Sequence, residues 1–398
     1  MSGQLRELSD LVIRWVHLIA GIMWIGNSLL FNWLDRNLEK AKDSTDPNYQ
    51  GKIWLLHSGA FYDVDKKLLH PHEMPAKLHW FKWQNFTTWA SGILLLFVVY
   101  YSGGGALLVD PSVRALGVPA AMGIGVGSIV LSWLFYDFVW RSPLGKRPVV
   151  ASALCFLWVA GLAYGLTHLL SGRAAYIHVG VTLGTLMTGN VWFVIVPSQR
   201  ELVAATTEGR EQDPAFSLRA KQRSIHNNYM TFPLLFMMVS NHFPSTYGNK
   251  LSWIVLGVLS IGGALVRHLM NIRFHYTRWF PVAALVVVGT LVGLFLLTRP
   301  PEREATASTA GHASFHAAYG VIQQRCAPCH SAHPSDDTWK TAPSGVMFDT
   351  PEQVGRLAPR IRERAVVSRT MPLANKTGIT QAERDILGDW IDQGATTQ

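Results

Sequence analysis

Charge is scarce in this sequence: only 15% of its 398 residues are Asp, Glu, Lys or Arg, where soluble domains carry about a quarter. Cysteine is scarcer still. Three residues are too few for the disulfide scaffold of a small secreted domain. A cleavable signal sequence is also missing, because the first apolar run continues well past the length of one and reads as a retained helix. A hydrophobic share of 49% and 15 Trp, set against so little charge, point to a bilayer as solvent. The net charge of +9 would suit a nucleic-acid binder. The basic residues, however, sit in short segments between apolar runs, as membrane topology requires, so nucleic acid is excluded as a partner.

Apolar runs of about 18 residues or more read as spanning helices. Eight are predicted, near 11–33, 84–101, 116–140, 148–170, 174–197, 228–243, 250–268 and 280–298. The sixth is short and contains Pro233. Segments 34–83, 141–147, 198–227 and 267–279 hold 19 Lys or Arg, whereas the opposite side holds four, Arg6, Arg114, Arg173 and Lys250. Lys and Arg mark the cytoplasmic side, so both termini are expected outside it, in the periplasm of a bacterial inner membrane. Within 34–83, Ile53–Lys67 shows strand-like alternation around Ser58-Gly59, and Leu78–Trp83 is aromatic and basic, like a segment at the lipid interface. A polar linker, 299–312, separates the membrane part, 1–298, from a small domain, 313–398.

An internal similarity runs through the membrane part. His17 to Gly26-Asn27 in the first span corresponds to His178 to Gly189-Asn190 in the fifth. Gln84-Asn85 opens the second span and Asn227-Asn228 the sixth. Both pairs lie four spans apart and run the same way, the pattern of a parallel four-plus-four repeat, although the His-to-Asn spacing differs by two residues. The expected fold class is all-α: a polytopic membrane bundle of about eight spans plus a small class I cytochrome c domain.

The C-terminal domain carries the most specific motif. Cys326-Ala327-Pro328-Cys329-His330 is the pattern for covalent attachment of a c-type haem, with His330 as an axial iron ligand. Such attachment takes place outside the cytoplasm, in agreement with the charge count. Met371, followed by Pro372, is the candidate second axial ligand, and Met347 is its rival. His–Met ligation raises the potential of the iron. Ser314–Arg325 reads as a leading helix, and Thr380–Gly394 as a final amphipathic helix capped by Thr380 and Glu383. Cys155, inside an apolar run, reads as a small core residue.

Ionisable side chains at membrane depth are costly and usually functional. His17 and His178 occupy matched positions on the outer half. They suit a b haem held between helices, or histidines hydrogen-bonded inside the bundle. Toward the cytoplasm lie Asn27, Asn85, Asn190 and Asn228, with Arg267 and Arg273 close by. Four amides at one level, with Trp24, Phe86, Trp192 or Tyr229 as stacking faces, would suit a planar heterocycle. Interhelical glue is the other reading of these Asn residues. Asp137 is either a proton acceptor or the partner of Arg141 four residues on.

Taken together, Arg14-Trp15-Val16-His17 through Gly26-Asn27, Ser58–Tyr62, Leu78–Trp83, the span pattern and Cys326–His330 resemble the membrane-bound urate oxidases with a fused cytochrome c, a class of urate hydroxylase. The resemblance covers essentially the whole chain. It implies oxidation of urate to 5-hydroxyisourate, with electrons passed to the covalent haem c and on to a soluble cytochrome c or a terminal oxidase. It supplies no list of urate ligands, so the four Asn and Arg267 stand on the residue reading alone. The alternatives are a quinol-oxidising electron-transfer module without urate activity, and a transporter fused to a redox sensor.

Overall fold

The computed structural model describes residues 3–39, 45–102, 105–299, 313–339 and 341–397. All of the linker 299–312 except Arg299 lies outside the described residues. The chain is mostly helical. Its first helix, α1 (Gly3–Asn37), is 35 residues long, or about 50 Å at 1.5 Å per residue. A hairpin of β1 (Tyr49–His57) and β2 (Ala60–Lys67) follows, pairing Leu56 with Phe61 and His57 with Ala60. Its turn residues Ser58 and Gly59 both have positive φ, 52° and 78°. That is the tight hairpin turn whose twist matches that of the strands. The expected alternation is therefore real, and the all-α description is corrected to mainly α with one two-stranded hairpin. Lys66 bridges to Asp35 and roots the hairpin on the end of α1.

The remaining helices of the first part are α2 (Trp83–Leu95, continued by a π turn, Leu96–Tyr101), α3 (Val118–Arg141), α4 (Pro148–Thr167) and α5 (Gly172–Asn190). A second π turn, Val191–Ile195, joins α5 to α6 (Val196–Thr207). Then come α7 (Pro214–Val239), the short α8 (Pro244–Tyr247), α9 (Ser252–Ile272) and α10 (Trp279–Leu297). Among the described residues, six helical stretches are long and apolar enough to cross a bilayer: 5–37, 118–141, 148–167, 172–207, 252–272 and 279–297. The other two expected spans are helical but differ in kind. The α-helical part of α2 is 13 residues before its π turn. Span 228–243 is the apolar half of α7, which starts at Pro214 with a polar stretch and keeps Pro233 inside.

Burial orders the bundle. The apolar window of α5–α6 is 67% buried, against 6% in α1 and in α10. Helix α5 therefore forms the centre, packed by α2, α3, α4 and α7. Around it, Leu18 and Ile22 of α1 and Leu291 and Phe295 of α10 are left exposed. Such apolar faces suit lipid, since no water-soluble surface of this size is stable. Gly125 of α3 is needed for the closest approach: a Cβ there would lie 2.6 Å from the His178 ring.

A separate core is built from Ala318, Ile322, Val354, Leu387 and Trp390. It belongs to α11 (Phe315–Arg325), α12 (Pro351–Ile361) and α13 (Gln381–Asp392). Ser314 caps α11 through the Ala317 amide, as the sequence pattern requires. Thr380 and Glu383 form the expected capping box on α13. Arg325 then donates to Glu383 at 3.0 Å, tying α11 to α13.

Burial raises the Glu383 carboxyl pKa, but the Thr380 amide and Arg325 outweigh it and hold the group below its ordinary value of 4.5. A depressed folded pKa contributes stability above the unfolded value, and that contribution is lost as pH falls through the folded one. Glu383→Gln should thus weaken α13 at neutral pH by about 1 kcal/mol, read as faster amide hydrogen exchange in 381–392. The difference from wild type should vanish once the pH drops below the carboxylate range; an unchanged difference there would contradict the assignment.

Candidate functional site

Helix α11 ends in the turn that carries both thiols. The Cys326 amide donates to Ile322 and the His330 amide to Cys326, at 2.8 and 3.0 Å. Neither cysteine is in a disulfide. The His330 Nδ1 lies 3.0 Å from the Val346 carbonyl. A carbonyl only accepts, so Nδ1 carries the proton and Nε2 keeps its lone pair. Burial also holds the imidazole pKa below its ordinary value, favouring the neutral form that ligates metal. Two free thiols and one oriented neutral imidazole fit a covalent haem c. Met371 is held by its amide on Arg364 and by Arg384 donating to its carbonyl at 2.8 Å. Met347 instead lines a cavity of about 270 Å³ with Val346, Leu357, Arg356 and Arg360.

At the other centre, inside the bundle, buried polar side chains join helices in three clusters. Between α2 and α5, Asn85 donates to the Thr188 hydroxyl at 3.1 Å. Between α3, α5 and α7, Asn190 donates to the Tyr136 hydroxyl and to the Asn227 carbonyl oxygen, both at 2.9 Å. There Tyr136 also pairs with His226 Nδ1 at 2.7 Å, and the Arg223 guanidinium lies 4.9 Å from the Tyr136 ring. Between α7 and α9, Asn228 accepts from Arg267 and from Asn271, at 3.0 and 2.8 Å.

Of the five substrate-site residues predicted from sequence, Asn85, Asn190, Asn228 and Arg267 are thus buried in these networks. Asn27, half-buried on α1, joins none of their bonds. Tyr136, Arg223, Asn227 and Asn271 were missed. Arg223 reads as loop charge in sequence, yet it is 3% exposed inside α7.

Unpartnered atoms locate the unusual end of the bundle. Among the described residues, the buried polar atoms of residues 3–299 without a partner are on Gln84, Asn85, Trp140, Asn190, Trp192, Gln212, Arg223, Asn228 and Asn271. All lie at the end rich in Lys and Arg. Such groups cost about 1–3 kcal/mol each when left unmade, so they cluster where a ligand can answer them. Lys82 caps the same end, 4.9 Å from the Trp80 ring and 5.8 Å from Trp192.

The outer-half histidines behave differently. His178 is fully buried, with Nδ1 2.7 Å from the Ala174 carbonyl and Nε2 2.9 Å from the Tyr101 hydroxyl. Both ring nitrogens are engaged, and Gly125 closes on the ring. His17 bonds through Nδ1 to the Thr88 carbonyl and the Ser91 hydroxyl. A b haem ligated by both histidines does not fit this packing.

The chain is therefore a helical bundle with bilayer-length apolar helices, a cluster of buried polar side chains toward one end and a second, separate core in α11, α12 and α13. Residues 3–298 match the family described as urate oxidase N-terminal, and the chain belongs to that family. No curated protein and no solved structure matches it. Membership points to an oxidoreductase acting on urate.

Asp137 pairs with two arginines. It accepts from Arg141 at 2.6 Å and from the buried Arg223 at 3.3 Å. Asp137→Ala should leave Arg223 uncompensated and destabilise the bundle by about 3–5 kcal/mol, seen as a lower thermal midpoint in detergent. Adding Arg223→Met should restore most of the loss. A double variant no more stable than Asp137→Ala would show that the pair is not the reason.

Proposed function

We propose that this protein is a membrane-bound urate oxidase that passes electrons to a haem c on its own C-terminal domain. Family membership over residues 3–298 carries the substrate. The Cys326, Cys329 and His330 set carries the acceptor. Oxidation of the urate anion to 5-hydroxyisourate, with water as the oxygen source, releases one proton and two electrons, which leave one at a time. Bound through Cys326 and Cys329 and ligated by His330 and Met371, a haem c supplies a one-electron acceptor of raised potential. Asn85, Asn190, Asn228 and Arg267 bind and orient the planar anion, and the surrounding apolar helices exclude water. A soluble cytochrome c or a terminal oxidase then receives the electrons.

We read α2 with its π turn and α7 as the remaining spans, giving eight in an inner membrane. The Lys and Arg count supports a cytoplasmic polar pocket and periplasmic termini. Consistent with that, Gly248, on the turn before α9, packs closely on Ser368 and Thr370 of the C-terminal domain.

Adding urate without oxygen to oxidised, purified protein should reduce the haem, as its absorbance reports. Reduction by a quinol and not by urate would favour the electron-transfer module instead. Cys326→Ala with Cys329→Ala should release haem from the denatured chain. Met371→Ala should keep haem attached and lower its potential; the same shift from Met347→Ala, with none from Met371→Ala, would reassign the ligand.

A further inference from the structure

The three polar clusters are not equivalent in what they leave open. At Asn85 only the side-chain oxygen is unpartnered. At Asn190 an oxygen is open, with the Arg223 Nη1 as a donor on a different helix. Between α7 and α9, the Asn228 Nδ2 and the Asn271 Oδ1 are both unpartnered among the described residues, on two amides bonded to each other.

Chemistry fixes the orientation of those amides. Arg267 Nε can only donate, so the atom facing it at 3.0 Å is the oxygen of Asn228. Asn271 meets that same oxygen, so it presents its nitrogen at 2.8 Å. A donor on Asn228 and an acceptor on Asn271 are therefore left side by side. Asn228, Asn271 and Arg267 are 3%, 3% and 4% exposed, so bulk water does not answer them. Arg267 and Asn271, four residues apart, share one face of α9. Arg36 and Arg273 lie within electrostatic reach of Arg267, and the face of Phe232 lies 5.6 Å from its guanidinium.

We infer that Asn228 and Asn271 together read one lactam edge, a C=O beside an N–H, of a planar heterocyclic anion whose charge Arg267 offsets. The Asn228 amide donates to the ring carbonyl, and the Asn271 oxygen accepts from the ring N–H. Asn271 is then a specificity-determining residue. Helix glue alone would pair these atoms with one another and leave none open. The identity of the anion as urate rests on the function proposed above.

Full-length protein reduced with dithionite gives the test, because urate binds without turnover when no acceptor is oxidised. Equilibrium dialysis should show urate binding, weakened about tenfold to hundredfold by Asn271→Leu or Asn228→Leu, the usual range for stranding one buried partner. Wild-type protein should also discriminate at least tenfold against one of the 1-, 3-, 7- and 9-methylurates, the one methylated at the nitrogen facing Asn271. Asn271→Ala should abolish that discrimination. Wild-type affinity in both Leu variants, equal binding of urate and all four methylurates, or no urate binding at all would each overturn the inference. If the pocket binds as expected but urate never reduces oxidised protein, the pocket stands and the oxidase reading falls. Urate-driven reduction unchanged by the Asn271 substitutions would do the reverse.

Discussion

Helix α5 is enclosed by α2, α3, α4 and α7, so its polar side chains have no water to turn to and must be answered by neighbours. At its outer end they are. The Tyr176 hydroxyl donates to the Thr246 and Ser252 carbonyls, His178 uses both nitrogens, and Thr182 returns to the His178 carbonyl. At its inner end the accounts stay open, on Asn190 itself and on Asn85 opposite Thr188. One helix thus combines a locked end with an unsatisfied one. Polar groups left open in an apolar bundle destabilise it until something fills them, which makes the inner end the place where a ligand contributes most to stability.

The fold was legible where local chemistry is strong. Strand-like alternation around Ser58-Gly59 is visible in the sequence, although the hairpin turn itself shows only in the positive φ of both residues. Thr380 and Glu383 announced a helix start because each satisfies the other's backbone. Helix limits were less legible. Ser217 to Tyr229 is polar enough to resemble a loop, yet tertiary packing carries it as helix and buries Arg223, Asn227 and Asn228. The site was half legible for the same reason. Asn85, Asn190 and Asn228 stand out as amides beside apolar runs. Asn271 and Tyr136 lie within helix ends where polar and aromatic residues are ordinary, and only their partners distinguish them.

Sequence similarity between the two halves does not carry over to packing. His17 bonds across to α2, whereas its counterpart His178 bonds within α5 and to the π turn after α2. Asn85 meets α5, whereas its counterpart Asn228 meets α9. The difference follows from position: α1 lies at the rim and α5 at the centre. Like residues at matched places were therefore free to take unlike roles, and at α7–α9 the cation Arg267 bonds directly to one of two paired amides.

Geometry also separates the α7–α9 cluster from the Cys326–His330 turn. Gly248, beside the C-terminal domain, and Asn271, in the α7–α9 cluster, flank opposite ends of α9, about 30 Å apart at 1.5 Å per residue. Asn271 and its α7–α9 partners therefore lie far from the domain that carries Cys326, Cys329 and His330. His178, between them in depth, uses both ring nitrogens within the bundle. The buried amide clusters and the Cys326–His330 turn are built into different helices, with separate cores and separate hydrogen-bond networks. Each can be perturbed alone, so a defect in one is read directly against an intact other.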